Sequence, residues 1–210
     1  MAVSSLVLGI LGLFTCGITA LFGLVFGIIA LVKVKGSQGK LKGDGLALSG
    51  IIVSGVFLLM IPIFAAMLLP VLATAKSRAQ TINCMSNEHE LALALILYSD
   101  KNSNHFPAST NWCDAIKSGV TPNVFKCPAA NSTSQCDYAF NAALGGMDES
   151  QVDPHTVMIF ESDAGWDASG GPELMAASRH QNQHISVVAF ADGSVQQVRP
   201  SGLNNLRWNP

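Results

Sequence analysis

LALSGIIVSGVFLLMIPIFAAMLLPVLATAKSRAQTINCMSNEHELALALILYS, residues 46–99, decides the fold. Its opening 27 residues, Leu46 to Leu72, carry no charge. A spanning helix needs roughly 20 apolar residues, so this stretch reads as a membrane helix. Pro62 and Pro70 interrupt it, and proline in a helix commonly produces a kink. Past Pro70 the pattern stays helical. Leu72, Ala75, Ala79, Ile82, Met85, Leu91, Ala94, Leu95 and Tyr98 recur at helical spacings. Lys76, Arg78, Gln80, Asn83, Glu88 and Glu90 fall between them and read as the other, solvent-facing side. The expectation is one helix that leaves the membrane and packs half its surface on a globular head. Fully helical, residues 46–99 would extend about 80 Å. Asp100, Lys101, Asn102, Ser103 and Asn104 are turn formers that end it.

A second uncharged stretch precedes this one. LVLGILGLFTCGITALFGLVFGIIALV, Leu6 to Val32, is again 27 residues long. It exceeds a signal peptide's apolar core, and Lys33 and Lys35 follow it rather than precede it, so it reads as a retained span. Gly23 and Gly27, and Gly50 and Ser54, have the small-xxx-small spacing that lets two helices approach closely. The connection KVKGSQGKLKGDG holds four lysines and one aspartate. Basic loops stay cytoplasmic, which puts both termini outside. Residues 1–45 sum to +3 and residues 46–210 to −5. Charged residues make up 12% of the 210 residues against roughly 25% in an ordinary soluble domain. The composition therefore excludes a single soluble domain. The weakly acidic balance excludes a nucleic-acid partner, because nothing would neutralise a row of phosphates. Three segments follow: 1–45, a first span and basic loop; 46–100, a second span continuing as a long helix; and 101–210, an extracytoplasmic head.

Two resemblances attach to these segments. AVSSLVLGILGL, LFGLVFGIIAL, LKGDGLALSG and GIIVSG, within residues 1–58, resemble a two-helix bacterial membrane module of unknown function. LLPVLATAKSRAQTINCMSNEHELALALILYSDKNSNHFP resembles the first helix of type IV pilin and pseudopilin-like proteins of planctomycetes and verrucomicrobia. Pro70, Lys76, Arg78, Cys84, Tyr98, Asp100, Phe106 and Pro107 carry that likeness. FKCPAA (residues 125–130) resembles the family's Phe-x-Cys-Pro. RHQNQHISVVAFADGSV (residues 179–195) resembles its processing-associated motif, a His followed after nine residues by Asp-Gly. Here eleven residues separate His180 from Asp192 and seven separate His184 from it. With the two apolar runs, the resemblance gives the expected fold, α+β: two transmembrane helices, the second continuing into a long pilin-like helix packed on a small antiparallel sheet. It also implies contact with self or other pilin-like subunits through the head. Alignment on Pro70 puts SGIIV where a prepilin has its cleavage site. Val53 then replaces the acidic residue that registers pilin assembly, so a permanently anchored head is expected.

The head offers VMIFE (157–161), ISVVAF (185–190) and VQQVR (195–199) as strands. Asp192-Gly193 between the last two signals a hairpin turn. Its rival is calcium, for which Asp163, Asp167 and Asp192 offer hard oxygen ligands. GWDASGGPE (165–173) reads as an exposed loop, and Glu161 with Asp163 as solvated acids at a strand end. His180 and His184 have helical i, i+4 spacing, but the segment precedes a strand and lacks the Glu of HExxH, so a packing or pH-sensitive role is preferred to zinc. Cys16 falls in the first span. Cys84, Cys113, Cys127 and Cys136 fall in the expected ectodomain, and four cysteines outside the cytoplasm allow three two-disulfide pairings. The pilin-like resemblance favours Cys84–Cys127 with Cys113–Cys136, the local Cys127–Cys136 loop being the rival. Neither a GxSxG nucleophile elbow nor a GxxxxGK[ST] phosphate loop occurs. The expected class is a non-enzymatic structural or interaction protein of the bacterial inner membrane, its one certain partner the lipid bilayer. The alternative is a ligand- or calcium-binding sensing module built on the same head.

Overall fold

A computed structural model describes residues 18–36, 44–176, 179–180 and 185–210. The chain divides into two compact units, Met1–Ala73 and Thr74–Pro210. Helix α1 spans Ile18–Gly36 and helix α2 spans Asp44–Lys101, running unbroken through Pro62 and Pro70. The division falls inside α2, where its apolar stretch gives way to charged residues.

In the first unit large apolar side chains are turned outward on every side of α2. Ile61, Phe64, Met67, Leu68, Leu69, Val71 and Leu72 are all exposed. A helix apolar all round and uncovered is suited to lipid rather than to water. Gly23, Gly27 and Ala30 are covered on α1, and Gly50 and Ser54 on α2. Such rows of small residues mark the sides on which membrane helices approach one another. Among the described residues one helix, Leu48–Lys101, is long and apolar enough to cross a membrane. The apolar part described for α1, Phe22–Val34, falls short of the roughly 20 residues a crossing needs. The expectation of two clear spans is thus reduced to one. The earlier part of the first expected span, with Cys16, and most of the basic loop lie outside the described residues.

The second unit is an α+β head. After α2 the chain turns at Ser103 and Asn104, both with positive φ, as the run of turn formers anticipates. A short helix α3 (Trp112–Ile116) follows. The strands are β1 (Tyr138–Asn141), β2 (Val157–Glu161), β3 (Ser169–Gly170), β4 (Ser186–Phe190) and β5 (Val195–Val198). They form one sheet in the order β3-β1-β2-β4-β5. Pairs β1–β2, β2–β4 and β4–β5 are antiparallel, but β3 joins β1 in parallel. The sheet is therefore mixed, not purely antiparallel. The residues responsible lie in GWDASGGPE, which is not a free loop. Gly165 (φ 101°) and Asp167 (φ 55°) bend it inward, and Trp166 packs on Phe125 at 4.9 Å between ring centroids.

Both faces of the sheet are covered. Leu91 and Leu95 of α2 lie in one core with Trp112, Phe125, Tyr138, Phe140 and Ile159. On the opposite face Ala139, Val157, Phe160, Val188 and Phe190 form a second core, against which Leu174, Met175, Leu203, Leu206 and Trp208 pack. A strand buried on both faces reads as a continuous apolar run, which is why VMIFE and SVVAF are legible.

Candidate functional site

The buried stripe of α2 in the head is Ser77, Thr81, Cys84, Glu88, Leu91, Ala92, Leu95 and Ser99. Three- and four-residue steps keep these on one side of the helix. Ile82, assigned by its apolarity to the packed face, is instead 62% exposed. Glu88, assigned to solvent, is fully buried. The first half of the stripe is polar, and it meets polar residues arriving from the sheet.

Four of these residues converge. Cys84 of α2 is disulfide-bonded to Cys127, with Cα atoms 5.1 Å apart. Cys127 follows the 3-10 turn Pro122–Phe125, and Asp137 fixes its backbone by accepting the Cys127 N–H at 2.9 Å. Asp137 also accepts from Ser132, from Ser134 at 3.0 Å and from Lys126 at 3.2 Å. Burial alone would raise its pKa, but these hydrogen bonds outweigh burial and hold it below the usual carboxylate range. Glu161, at the end of β2, lies fully buried beside the disulfide, its Oε1 3.4 Å from Cys127 Sγ. Its Oε2 accepts the Val187 N–H of β4 at 3.1 Å. The expectation of a solvated acid at a strand end is therefore wrong, because that strand end faces α2.

His180 completes the group. Its Nε2 is 2.8 Å from Glu161 Oε1, and its Nδ1 is 3.0 Å from Thr81 Oγ1. Thr81 Oγ1 donates to the Ser77 carbonyl at 3.0 Å, so it receives the Nδ1–H. One hydrogen then bridges Nε2 and Oε1. Neighbouring Arg179 donates to the Asp137 carbonyl at 2.8 Å and to Asp163 at 2.5 Å. The ligand atoms of Cys84, Cys127, Glu161 and His180 all lie within 4.8 Å of one another.

Glu88 lies one helical turn from Cys84, and neither of its carboxyl oxygens has a hydrogen-bond partner. Burial raises its pKa well above the ordinary value; Glu161 adds to the rise and Arg179 opposes it. Folding thus increases the proton affinity of Glu88. The stability linked to that proton is fully present below the unfolded value, about pH 4.3. It is lost as pH rises toward the folded value. Glu88→Gln is expected to remove this slope and to be more stable than the wild type at pH 7. Across the window the wild type should lose up to about 1.4 kcal/mol per pH unit. Denaturant unfolding from pH 4 to pH 8 measures it, and parallel curves for the two proteins would refute it.

The remaining sequence-assigned residues are dispersed. Asp163 binds Arg179. Asp167 Oδ1 accepts the Cys113 N–H at 2.7 Å. Asp192 Oδ1 accepts both the N–H and the hydroxyl of Ser194, at 2.8 and 2.5 Å. The three aspartates do not form a calcium cluster among the described residues, because each serves a separate turn or ion pair. Asp192-Gly193 is the β4–β5 turn, with Gly193 at φ 81°. Its carbonyl accepts from His89 Nδ1 of α2 at 2.8 Å, which docks the hairpin on the helix. His184 lies outside the described residues. Cys113 and Cys136 are buried free cysteines, not the second disulfide the sequence suggests. They are neighbours all the same: their hydrogen bond, then burial, push the Cys113 thiol pKa up.

The class defined here is an α+β head bearing a buried Cys-Cys-Glu-His cluster, on a helix whose other part is long and apolar. Residues 1–64 match the family described as Domain of unknown function (DUF4190). Nothing among the curated proteins or the solved structures matches the chain.

Proposed function

We propose that the chain is a non-enzymatic, membrane-anchored, pilin/pseudopilin-like structural or interaction protein of the bacterial cell envelope. In this reading both N-terminal segments cross the inner membrane, the lysine loop is cytoplasmic and the head is extracytoplasmic. The observation that carries the proposal is α2 itself. It is apolar from Leu48 to Leu72 and exposed at every residue from Ile61 to Leu72, yet from Ser77 to Ser99 it supplies one wall of the head's core. A helix that is lipid-suited at one end and packed on a sheet at the other is what a displayed pilin-like head requires. The disulfide supports placement in an oxidising compartment. Exposed Ile82, Leu93 and Leu97 on α2 supply apolar surface for contacts with self or with similar subunits through the head.

Retention in the membrane follows from the lysines. Releasing the helix sideways into a filament would require prior cleavage, and Val53 stands where a pilin has its acid. Withdrawing both spans intact would draw the loop lysines through the bilayer core, at roughly 2.5–3.5 kcal/mol each. The native protein is expected to remain full length, with any assembly made through the head. Intact mass and N-terminal sequencing of membrane-extracted protein test this. A mature N-terminus between Gly43 and Ile52 would show a processed pilin instead.

A further inference from the structure

The disulfide Cys84–Cys127 is surrounded by the donors a transition metal needs. His180 Nε2 and Glu161 Oε1 lie beside it, and all four side chains are buried. We propose that Cys84, Cys127, Glu161 and His180 form a redox-gated metal site, closed by the disulfide when oxidised and binding a zinc-class divalent cation when reduced.

The donor set decides the class of cation. Two thiolates, an imidazole and a carboxylate suit zinc, whereas magnesium and calcium prefer oxygen alone. The dimensions also fit. Bond lengths near 2.3 Å to sulfur and 2.0–2.1 Å to nitrogen and oxygen put tetrahedral S···S edges at about 3.8 Å and N···O edges at about 3.3 Å. His180 Nε2 and Glu161 Oε1 stand 2.8 Å apart, so they need to part by only about half an ångström to meet that edge. Cys127 Sγ is already 3.4 Å from Glu161 Oε1.

The surrounding contacts hold the ligands independently of the disulfide. Thr81 takes the Nδ1–H of His180 and turns Nε2 toward the cluster. The Val187 N–H holds the second oxygen of Glu161, and Asp137 holds the backbone of Cys127. Metal-bound histidine almost always has such a partner on its other nitrogen. Glu88 is a buried neighbour of the cluster. It is a fully buried acid one turn from Cys84, with both oxygens unpartnered and Glu161 as an electrostatic neighbour. A dication with two thiolates and Glu161 leaves one net negative charge, with Arg179, 4% exposed and ion-paired to Asp163, alongside.

The redox step balances with a dithiol reductant. By thiol–disulfide exchange the dithiol becomes a disulfide, and its two electrons and two protons pass to Cys84 and Cys127. The metal then displaces both thiol protons and the hydrogen shared by Nε2 and Oε1.

The test uses the full-length chain in detergent, with Cys16→Ala, Cys113→Ser and Cys136→Ser so that only the cluster can supply thiolate. Cobalt(II) is titrated before and after treatment with dithiothreitol and its removal under anaerobic conditions. The reduced chain is expected to bind one cobalt with thiolate charge-transfer and tetrahedral d–d absorption, and zinc to displace it. The oxidised chain is expected to show neither band. His180→Ala should abolish the tetrahedral spectrum. Thr81→Val should keep the spectrum and weaken binding about 10–100-fold, as loss of a partner behind a ligand does. If reduction unfolds the head, zinc should restore its near-ultraviolet circular dichroism. No charge-transfer band on a folded reduced chain, a band unchanged in His180→Ala, or no refolding by zinc would each overturn the proposal.

Discussion

Loss of the Cys84–Cys127 bridge is expected to destabilise the head by about 4 kcal/mol. The bridge closes a loop with a sequence separation of 43. Loop-closure entropy for that length lies between the roughly 3 kcal/mol of a 15-residue loop and the 4.7 of a 100-residue loop. The two cysteines also join the polar half of the α2 stripe to the segment after Phe125. Gln80 and Asn87 add hydrogen bonds from α2 to the Pro128 and Lys126 carbonyls, both at 2.7 Å, and these remain when the bridge is cut. Cys84→Ser with Cys127→Ser, unfolded by denaturant in metal-free buffer, measures the effect. A loss under about 1 kcal/mol would mean that the bridge does not constrain the unfolded chain as loop closure requires.

His180→Ala is expected to cost a similar amount, about 3–5 kcal/mol, the usual result of breaking a buried pair from one side. The alanine leaves Glu161 Oε1 facing a void at 0% exposure, beside a second buried acid, Glu88. The sign of the companion experiment differs. Replacing both partners, His180→Leu with Glu161→Leu, should recover part of the loss, because apolar groups do not leave an orphaned carboxylate. Thermal or denaturant unfolding of His180→Leu, Glu161→Leu and the double variant gives the coupling directly. Additive losses would show that the 2.8 Å contact carries no interaction energy.

The parts of the fold legible from residues alone were those governed by local pattern. Hydropathy located the apolar half of α2, and doubly covered apolar runs located β2 and β4. Asp-Gly located the hairpin turn. Strand β1, YAFN, has all four residues buried, so it shows no alternation, and its short length hides it. Strand β3 is two residues of a glycine-rich segment, held by Trp166 on Phe125, by Asp167 on Cys113 and by the Ala168 carbonyl, which accepts from Trp112 and Phe140. The site was less legible still. Thr81 and Glu88 sit on the buried stripe, yet polar residues on a helix are ordinarily assigned to solvent. Exchanging one set of residues for its neighbours rotates the helix by about 100°, which is how Ile82 came to be placed inward. Glu161 and His180 were visible as residues but not as a pair, since their meeting depends on the β2–β4 register and on α2 lying across it. A four-residue step from Cys84 to Glu88 and a three-residue step from Thr81 to Cys84 were the available signal, a row of unusual composition at helical spacing.

Side-specific thiol labelling tests most directly the proposed two-pass anchor with the head outside the membrane. Cys16, Cys113 and Cys136 are replaced by alanine, the disulfide is kept, and a single cysteine is introduced as Asn102→Cys or Gln38→Cys. In intact cells a membrane-impermeant maleimide is expected to label position 102 and to reach position 38 only after lysis, because four lysines in a short loop favour the cytoplasmic side. Labelling of position 38 in intact cells, with position 102 protected, would contradict the account.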